Sequence, residues 1–265
     1  MSCALMHGEP SDASLTDDAA LGGRLRLRQP ATGHRFGHDA ILLAAACPAQ
    51  DGETAVDLGA GVGAAGLALA QRVAGLTVHL VEIDADLARL AAENAERNAL
   101  AARVRVHALD VGAQPADFAD AGLKPQTVDR VLMNPPFYRA GHAQASPDPR
   151  RRAAHVAAPG ALATWLGTAA RLLRPGGTLV LIHHADGLAE ILGLIEPAFG
   201  AVAVQPVHPK PGAAAIRVLV RAVNARRAPL AMLPGLVLNG PDGRPTAEAE
   251  AVLRHGAVLP LAQVA

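Results

Sequence analysis

Along residues 54–223 the chain switches repeatedly between two hydrophobic patterns. Short, nearly unbroken apolar runs end on polar residues: TAVDLGA (54–60), LTVHLVEID (76–84), RVRVHALD (103–110), TVDRVLMN (127–134) and GTLVLIHH (177–184). Between them lie stretches with helical spacing, over 64–74, 86–98, 115–122, 160–173 and 186–200. Runs with no polar face predict strands covered on both sides. Their alternation with helices predicts an α/β fold, a doubly wound and mostly parallel sheet. The last two runs, AVAVQPVHP (201–209) and AAIRVLVRAV (214–223), are joined by too few residues for a crossover helix. They predict an antiparallel pair.

The flanks read differently. Residues 1–20 are acidic and rich in small residues, which predicts a disordered tail. Over 21–50, GGRLRLRQP alternates Leu25 and Leu27 with arginines, predicting a short half-exposed strand, and HDAILLAAAC (38–47) predicts a helix. Residues 51–225 hold the strand–helix repeat. Residues 226–265 read as an appendage on the same domain, with a GPDGR turn and a helix capped at Thr246.

Composition narrows the function. The chain has 265 residues, 51% hydrophobic, a formal net charge of zero and only 2% aromatics, so the core must come from small aliphatic side chains. The N-terminus has no long apolar run, which predicts neither signal peptide nor membrane span. Cys3 and Cys47 are too few for a disulfide framework or a zinc site, and a reduced cytoplasmic protein is expected. Neutral charge leaves any nucleic-acid footprint to a local patch.

VDLGAGVGAAGLALA (56–70) carries strand into helix through Gly59, Gly61, Gly63 and Gly66, and Glu82 follows at the next strand end. By pattern this is a dinucleotide fingerprint. Asp57 argues against a pyrophosphate, because close like charges in a shielded site cost on the order of several kcal/mol. The same carboxylate favours a ligand with an ammonium and a sulfonium. The loop resembles the first motif of the seven-strand, class I methyltransferases, acid-x-G-x-G-x-G. That resemblance implies a Rossmann-like seven-stranded sheet with an antiparallel last strand and S-adenosyl-L-methionine as cofactor. It implies that Asp57, Gly59, Gly61 and Gly63 cradle the donor and that Glu82 holds the ribose hydroxyls. Asp110 bonds the adenine amino group, and Ile83 and Val111 sandwich the ring. Asp110 alone reads equally well as a helix cap.

The fourth run ends in Asn134-Pro135-Pro136-Phe137-Tyr138. Two prolines cannot continue a ladder or a helix. They leave the Asn134 side-chain oxygen and the Pro135 carbonyl as a preorganised pair of acceptors, suited to an exocyclic –NH2. Asn134 would also border the donor, and Phe137 offers a face for the target base, worth about 1–3 kcal/mol. The stretch resembles the Asn/Asp-Pro-Pro-aromatic signature of amino-group methyltransferases.

Residues 23–45 resemble the N-terminal motif of the bacterial tRNA adenine-N6 methyltransferase family, which implies that Gln29, Arg35, Phe36 and Asp39 close over the donor's methionine end. Asp39 reads equally as a first-turn helix charge. Residues 138–158 lack periodicity and carry a basic cluster of Arg139, Arg150, Arg151 and Arg152 with His142 and His155. With Pro136 and Tyr138 these are the substrate-binding candidates for an RNA partner. Ala153-Ala154-His155-Val156 departs from that family's Ala-Arg-His-Glu. Arg226 and Arg227 are further basic residues that sequence does not place. The expected activity is methylation of adenine N6 in tRNA; rRNA guanine-N2 and release-factor glutamine share the chemistry. Two other classes stay open, an NAD-dependent oxidoreductase and a non-catalytic RNA-binding module. No metal and no membrane are expected, and monomer and homodimer stay open.

Overall fold

A computed structural model describes residues 15–32, 35–136 and 160–264. After β1 (Leu15–Ala20), β2 (Leu25–Pro30) and α1 (His38–Ala46), the repeat runs β3 (Thr54–Leu58), α2 (Ala64–Arg72), β4 (Thr77–Glu82), α3 (Ala85–Arg97), β5 (Val104–Ala108), α4 (Pro115–Asp120) and β6 (Val128–Met133). Then come α5 (Ala161–Leu172), β7 (Leu173–His184), α6 (Leu188–Ile195), β8 (Phe199–His208) and β9 (Arg217–Asn224). Two short strands, β10 (Ala231–Met232) and β11 (Leu236–Val237), precede α7 (Ala247–His255).

The main sheet has the order β10-β8-β9-β7-β6-β3-β4-β5, with β11 also on β8. Seven longer strands form its body, and β9 is the antiparallel one, pairing both β7 and β8. The expected α/β sheet and its antiparallel final strand are therefore present. The chain winds outward from β3 to β5, then returns with β6 on the other side of β3. That reversal opens a crevice at the carboxyl ends of β3 and β6, where ligands of such sheets bind.

Alternate residues of each strand feed two cores. Val78, Leu80, Leu132 and Val180 pack with α1 and α2 on one face. Val81, Val131, Met133, Leu179 and Leu181 pack with α5 and α6 on the other. Most of what α2 buries is small: Ala64, Ala65, Gly66, Ala68 and Ala70, with Leu67 and Leu69 as the larger side chains. The C-terminal segment returns to α1, where the Leu259 amide donates to the Ala45 carbonyl at 3.0 Å. Thr246 caps α7, its Oγ1 accepting from the Ala249 amide at 3.1 Å. No helix among the described residues is long and apolar enough to cross a membrane.

One expectation is corrected. The disordered tail was to reach residue 20, yet residues 15–20 form β1, antiparallel to β2 in the register Leu15↔Pro30 to Ala20↔Leu25. The acids that suggested disorder have partners. Asp17 meets Arg97 at 2.6 Å and Arg26 at 3.4 Å. Asp18 accepts from Gln29 Nε2 and from Arg35 Nη2, each at 2.8 Å. The predicted alternation in β2 holds, with Leu25 and Leu27 fully buried.

The far edge of β2 has no strand beside it. Instead α3 offers two asparagines four residues apart. Asn94 accepts from the Arg28 amide at 2.8 Å and donates to its carbonyl at 2.9 Å; Asn98 does the same for Arg26 at 2.9 and 2.8 Å. Four residues of helix rise about 6 Å and two residues of strand about 6.7 Å, so the side-chain amides match the strand's own spacing. Asn94 Nδ2 also donates to the Val62 carbonyl at 3.1 Å, in the loop after β3.

Replacing Asn94, which is fully buried, by Ala strands three backbone groups. Asn94→Ala should lower unfolding free energy by about 2–4 kcal/mol, and the half-buried Asn98→Ala by less. Urea titrations followed by circular dichroism measure both; equal, negligible losses would rule out the asparagine edge as a structural support.

Candidate active site

The chain must turn from β3 into α2 within five residues. Gly59, Gly61 and Gly63 make this possible with φ of 70°, 56° and 88°, a left-handed region that side chains resist. The loop amides are held from β4. Those of Gly59 and Ala60 donate to the Val81 carbonyl at 2.9 and 3.0 Å. That of Gly61 donates to Glu82 Oε2 at 2.8 Å, while Glu82 Oε1 accepts from the Asp84 amide at 2.9 Å. Glu82 is thus an anchor of the loop, and each of its oxygens keeps a further lone pair for another donor. Gly66 has a packing role: any side chain there would overlap Leu80 and hold α2 off β4.

Asp57 lies beneath this loop at 3% exposure, its Oδ2 accepting from the Gly66 amide at 2.8 Å. Burial pushes its carboxyl up to about 7; the Gly66 hydrogen bond opposes the rise and the nearby Glu82 charge adds to it. An acid held on the edge of ionisation gains from a cationic neighbour and loses from a phosphate. The geometry therefore fits an ammonium- and sulfonium-bearing donor better than a dinucleotide.

The remaining sequence candidates for the donor share the same sheet edge. Ile83, directly after β4, is 67% exposed, and Val111, past the end of β5, is buried. Asp110 is exposed, and its Oδ1 accepts from the Gly112 amide at 2.8 Å, so it shapes the turn and keeps its second oxygen. On the other side, Leu58 pairs with Met133, which sets Asn134 level with Gly59. Asn134 is half-buried, Pro135 buried and Pro136 half-buried. The Asn134 Oδ1 is shut off from bulk water and has no hydrogen-bond partner among the described residues. A buried acceptor left unmet costs about 1–3 kcal/mol, a cost that a bound –NH2 removes. Phe137, Tyr138, Arg139, Arg150, Arg151 and Arg152, with His142 and His155, lie outside the described residues.

The four N-terminal candidates make internal bonds. Gln29 and Arg35 converge on Asp18, and Gln29 Oε1 accepts from the Phe36 amide at 2.9 Å. Asp39 pairs with Arg217 Nε at 2.9 Å, at the start of β9. Phe36 packs against the first core. Arg227 donates to the Phe199 carbonyl, at the amino end of β8. That is the sheet edge opposite Asn134, as it is for Arg226.

Sequence reasoning missed Asp18, because it lay within the presumed tail. It missed Asn94, whose signal is a buried amide on a helix that periodicity alone counts as polar. Trp165, the single tryptophan, belongs to none of the sequence motifs; in the fold it lies against Gly59, where an added methyl would overlap the indole.

The buried acid has a pH signature in the donor-free protein. Asp57 keeps its proton to about pH 7 when folded and releases it near the ordinary 3.8 when unfolded. The folded state then binds the extra proton between those values, so this residue's contribution to stability falls as pH rises from about 4 to about 7 and levels off above. Asp57→Asn keeps an acceptor for the Gly66 amide and removes the slope. Urea unfolding across this range should show the variant gaining on wild type as pH rises; a constant difference would refute it.

Comparison with known proteins agrees with this geometry. The family model for the methyltransferase small domain matches residues 34–208. A tRNA1(Val) (adenine(37)-N6)-methyltransferase of Cronobacter sakazakii is 36% identical over 114 residues, 43% of this chain and 44% of the relative. A release factor glutamine methyltransferase of Chlorobaculum tepidum is 31% identical over 175 residues, 64% of this chain and 58% of the relative. The chain thus spans about half the length of these curated relatives. The crystal structure of a predicted O-methyltransferase, protein Atu636 from Agrobacterium tumefaciens, superposes with a TM-score of 0.71 at 30% identity, over 83% of this chain and 98% of that one. By its matched domain, which spans most of the strand–helix repeat, the chain belongs to the methyltransferase small domain family.

Proposed function

We propose that this protein methylates an exocyclic amino group, and that its substrate is adenine N6 in tRNA. The observation that carries the reading is the Asn134 side-chain oxygen, buried and without a partner among the described residues, beside the glycine loop. A planar –NH2 has two hydrogens to give. One meets Asn134 Oδ1 and the other the Pro135 carbonyl, which leaves the nitrogen lone pair perpendicular to that plane.

S-adenosylmethionine, when bound, supplies a methyl group on a positively charged sulfur. The chain's part is to position the acceptor and to favour charge of the right sign. Holding nitrogen and carbon at near-attack distance is worth roughly 7–11 kcal/mol where alignment is good. Asp57, Glu82, Asp110, Ile83 and Val111 hold the nucleoside and ammonium ends, and Gln29, Arg35, Phe36 and Asp39 border the methionine end. Phe137 stacks the target base, while Pro136, Tyr138, Arg139 and Arg150 to Arg152 meet the RNA. The protein acts on RNA in the cytoplasm.

The tRNA assignment draws on the Cronobacter sakazakii relative and on the resemblance of residues 23–45 to that family. The Chlorobaculum tepidum relative supports a second reading, a release-factor glutamine, whose side-chain amide offers the same –NH2. Incubating the protein with labelled S-adenosylmethionine and, in parallel, bulk tRNA, rRNA and release factor separates them. Label in tRNA recovered as N6-methyladenosine is expected; label confined to release factor would favour the second reading. Asn134→Ala should reduce turnover at least about a hundredfold while leaving affinity for S-adenosylhomocysteine nearly unchanged. Wild-type turnover in that variant would remove the acceptor mechanism.

A further inference from the structure

Trp165 is the chain's single tryptophan, and nothing so far gives it a task. It sits in the second turn of α5, half-buried, and packs against the second core. Three contacts fix where the start of this helix lies. A methyl on Gly59 would overlap the indole Cη2 and sit 2.9 Å from Cζ3, so the ring rests directly on the loop after β3. The preceding residue, Thr164, brings its Cγ2 to 3.4 Å from where a Gly112 side chain would start, at the turn after β5. One turn further on, buried Thr168 donates to the Val111 carbonyl at 2.9 Å. The helix is therefore pinned to the ends of β3 and β5 at once.

In the sheet, β4 stands between those two strands. Its end carries Glu82 and the 67% exposed Ile83. The space bounded by the glycine loop, Glu82, Ile83 and the 110–112 turn is where a nucleoside must lie if the donor site is read correctly. The indole forms one side of that space. Its position also explains Gly59 beyond the left-handed turn, because any larger residue would displace the ring.

We propose that Trp165 is a donor-contacting residue: its indole is the aromatic wall against which the purine nucleoside of the donor packs, facing the exposed Ile83. The proposal rests on the S-adenosylmethionine reading and adds the aromatic surface that the sequence motifs leave out. An indole here offers a large, flat apolar face that any purine can use, whereas the aliphatic Ile83 and Val111 offer contact area alone. The competing account is that Trp165 only packs α5 onto the core.

Because the chain has one tryptophan, its emission reports on this position alone. Wild-type protein titrated with S-adenosylhomocysteine should show indole emission falling along the same isotherm that calorimetry records. Trp165→Ala should weaken that binding about tenfold, and Trp165→Phe should stay within about threefold of wild type. In turnover, Trp165→Ala should raise KM for the donor while kcat at saturation stays within about twofold. A merely structural tryptophan would not split KM from kcat in this way.

Calorimetric binding with unchanged emission at saturation would overturn the proposal while leaving the donor site standing. Absence of any binding heat in wild type would overturn the donor site and the proposal together. Should Trp165→Ala fail to fold, the wild-type emission titration decides the matter.

Discussion

The structure depends on the turn from β3 into α2. Five residues must reverse the backbone from extended to helical at the carboxyl edge of a buried sheet, where exposed amides would otherwise lack partners. Glycines at 59, 61 and 63 provide the dihedrals, and the acceptors come from outside the turn: the Val81 carbonyl, Glu82 and Asp57. The two carboxylates that a sequence reader assigns to a ligand therefore first serve the protein. Glu82 ties the loop to β4, and Asp57 receives the Gly66 amide in the first turn of α2. The ligand roles proposed for them would use spare lone pairs of groups already held rigid, which gives a site precision without extra ordering cost on binding.

Two groups in the crevice remain in chemically unrelieved states, and they differ in kind. Asp57 is kept from ionising by burial, with Glu82 adding to the penalty. Asn134 keeps an acceptor that no described residue meets. A cation answers the first and an –NH2 the second. The register of β3 against β6 puts their strand ends side by side, so both demands face one crevice. A dinucleotide fails the first, since it brings phosphate toward the acid.

The N-terminal hairpin shows how local chemistry and tertiary setting can conflict. Leu15–Ala20 reads as acidic tail, and alone it has no reason to be extended. Against β2 and α3 the same acids find Arg26, Arg97, Arg35 and Gln29. β2 in turn is bounded by side-chain amides rather than by backbone on its other edge. Asn94 ties the hairpin to the glycine loop, holding Arg28 with one set of bonds and Val62 with another.

What the sequence determined by itself was everything that depends on local periodicity and backbone chemistry. Unbroken apolar runs stated a sheet covered on both faces, the short link before β9 required an antiparallel pair, and the glycine spacing with Asp57 separated a sulfonium donor from a pyrophosphate. The Asn-Pro-Pro stretch declared a strand that ends in acceptors. Tertiary structure alone decided what depends on residues far apart in the chain. It ordered β1, set Asn94 and Asn98 along β2, paired Asp39 with Arg217 and sent Arg226 and Arg227 to the opposite edge. It also laid Trp165 on Gly59. The reason is physical: periodicity records which face a residue turns inward, but a hydrogen-bond partner or a ring contact is chosen only once distant strands have come together.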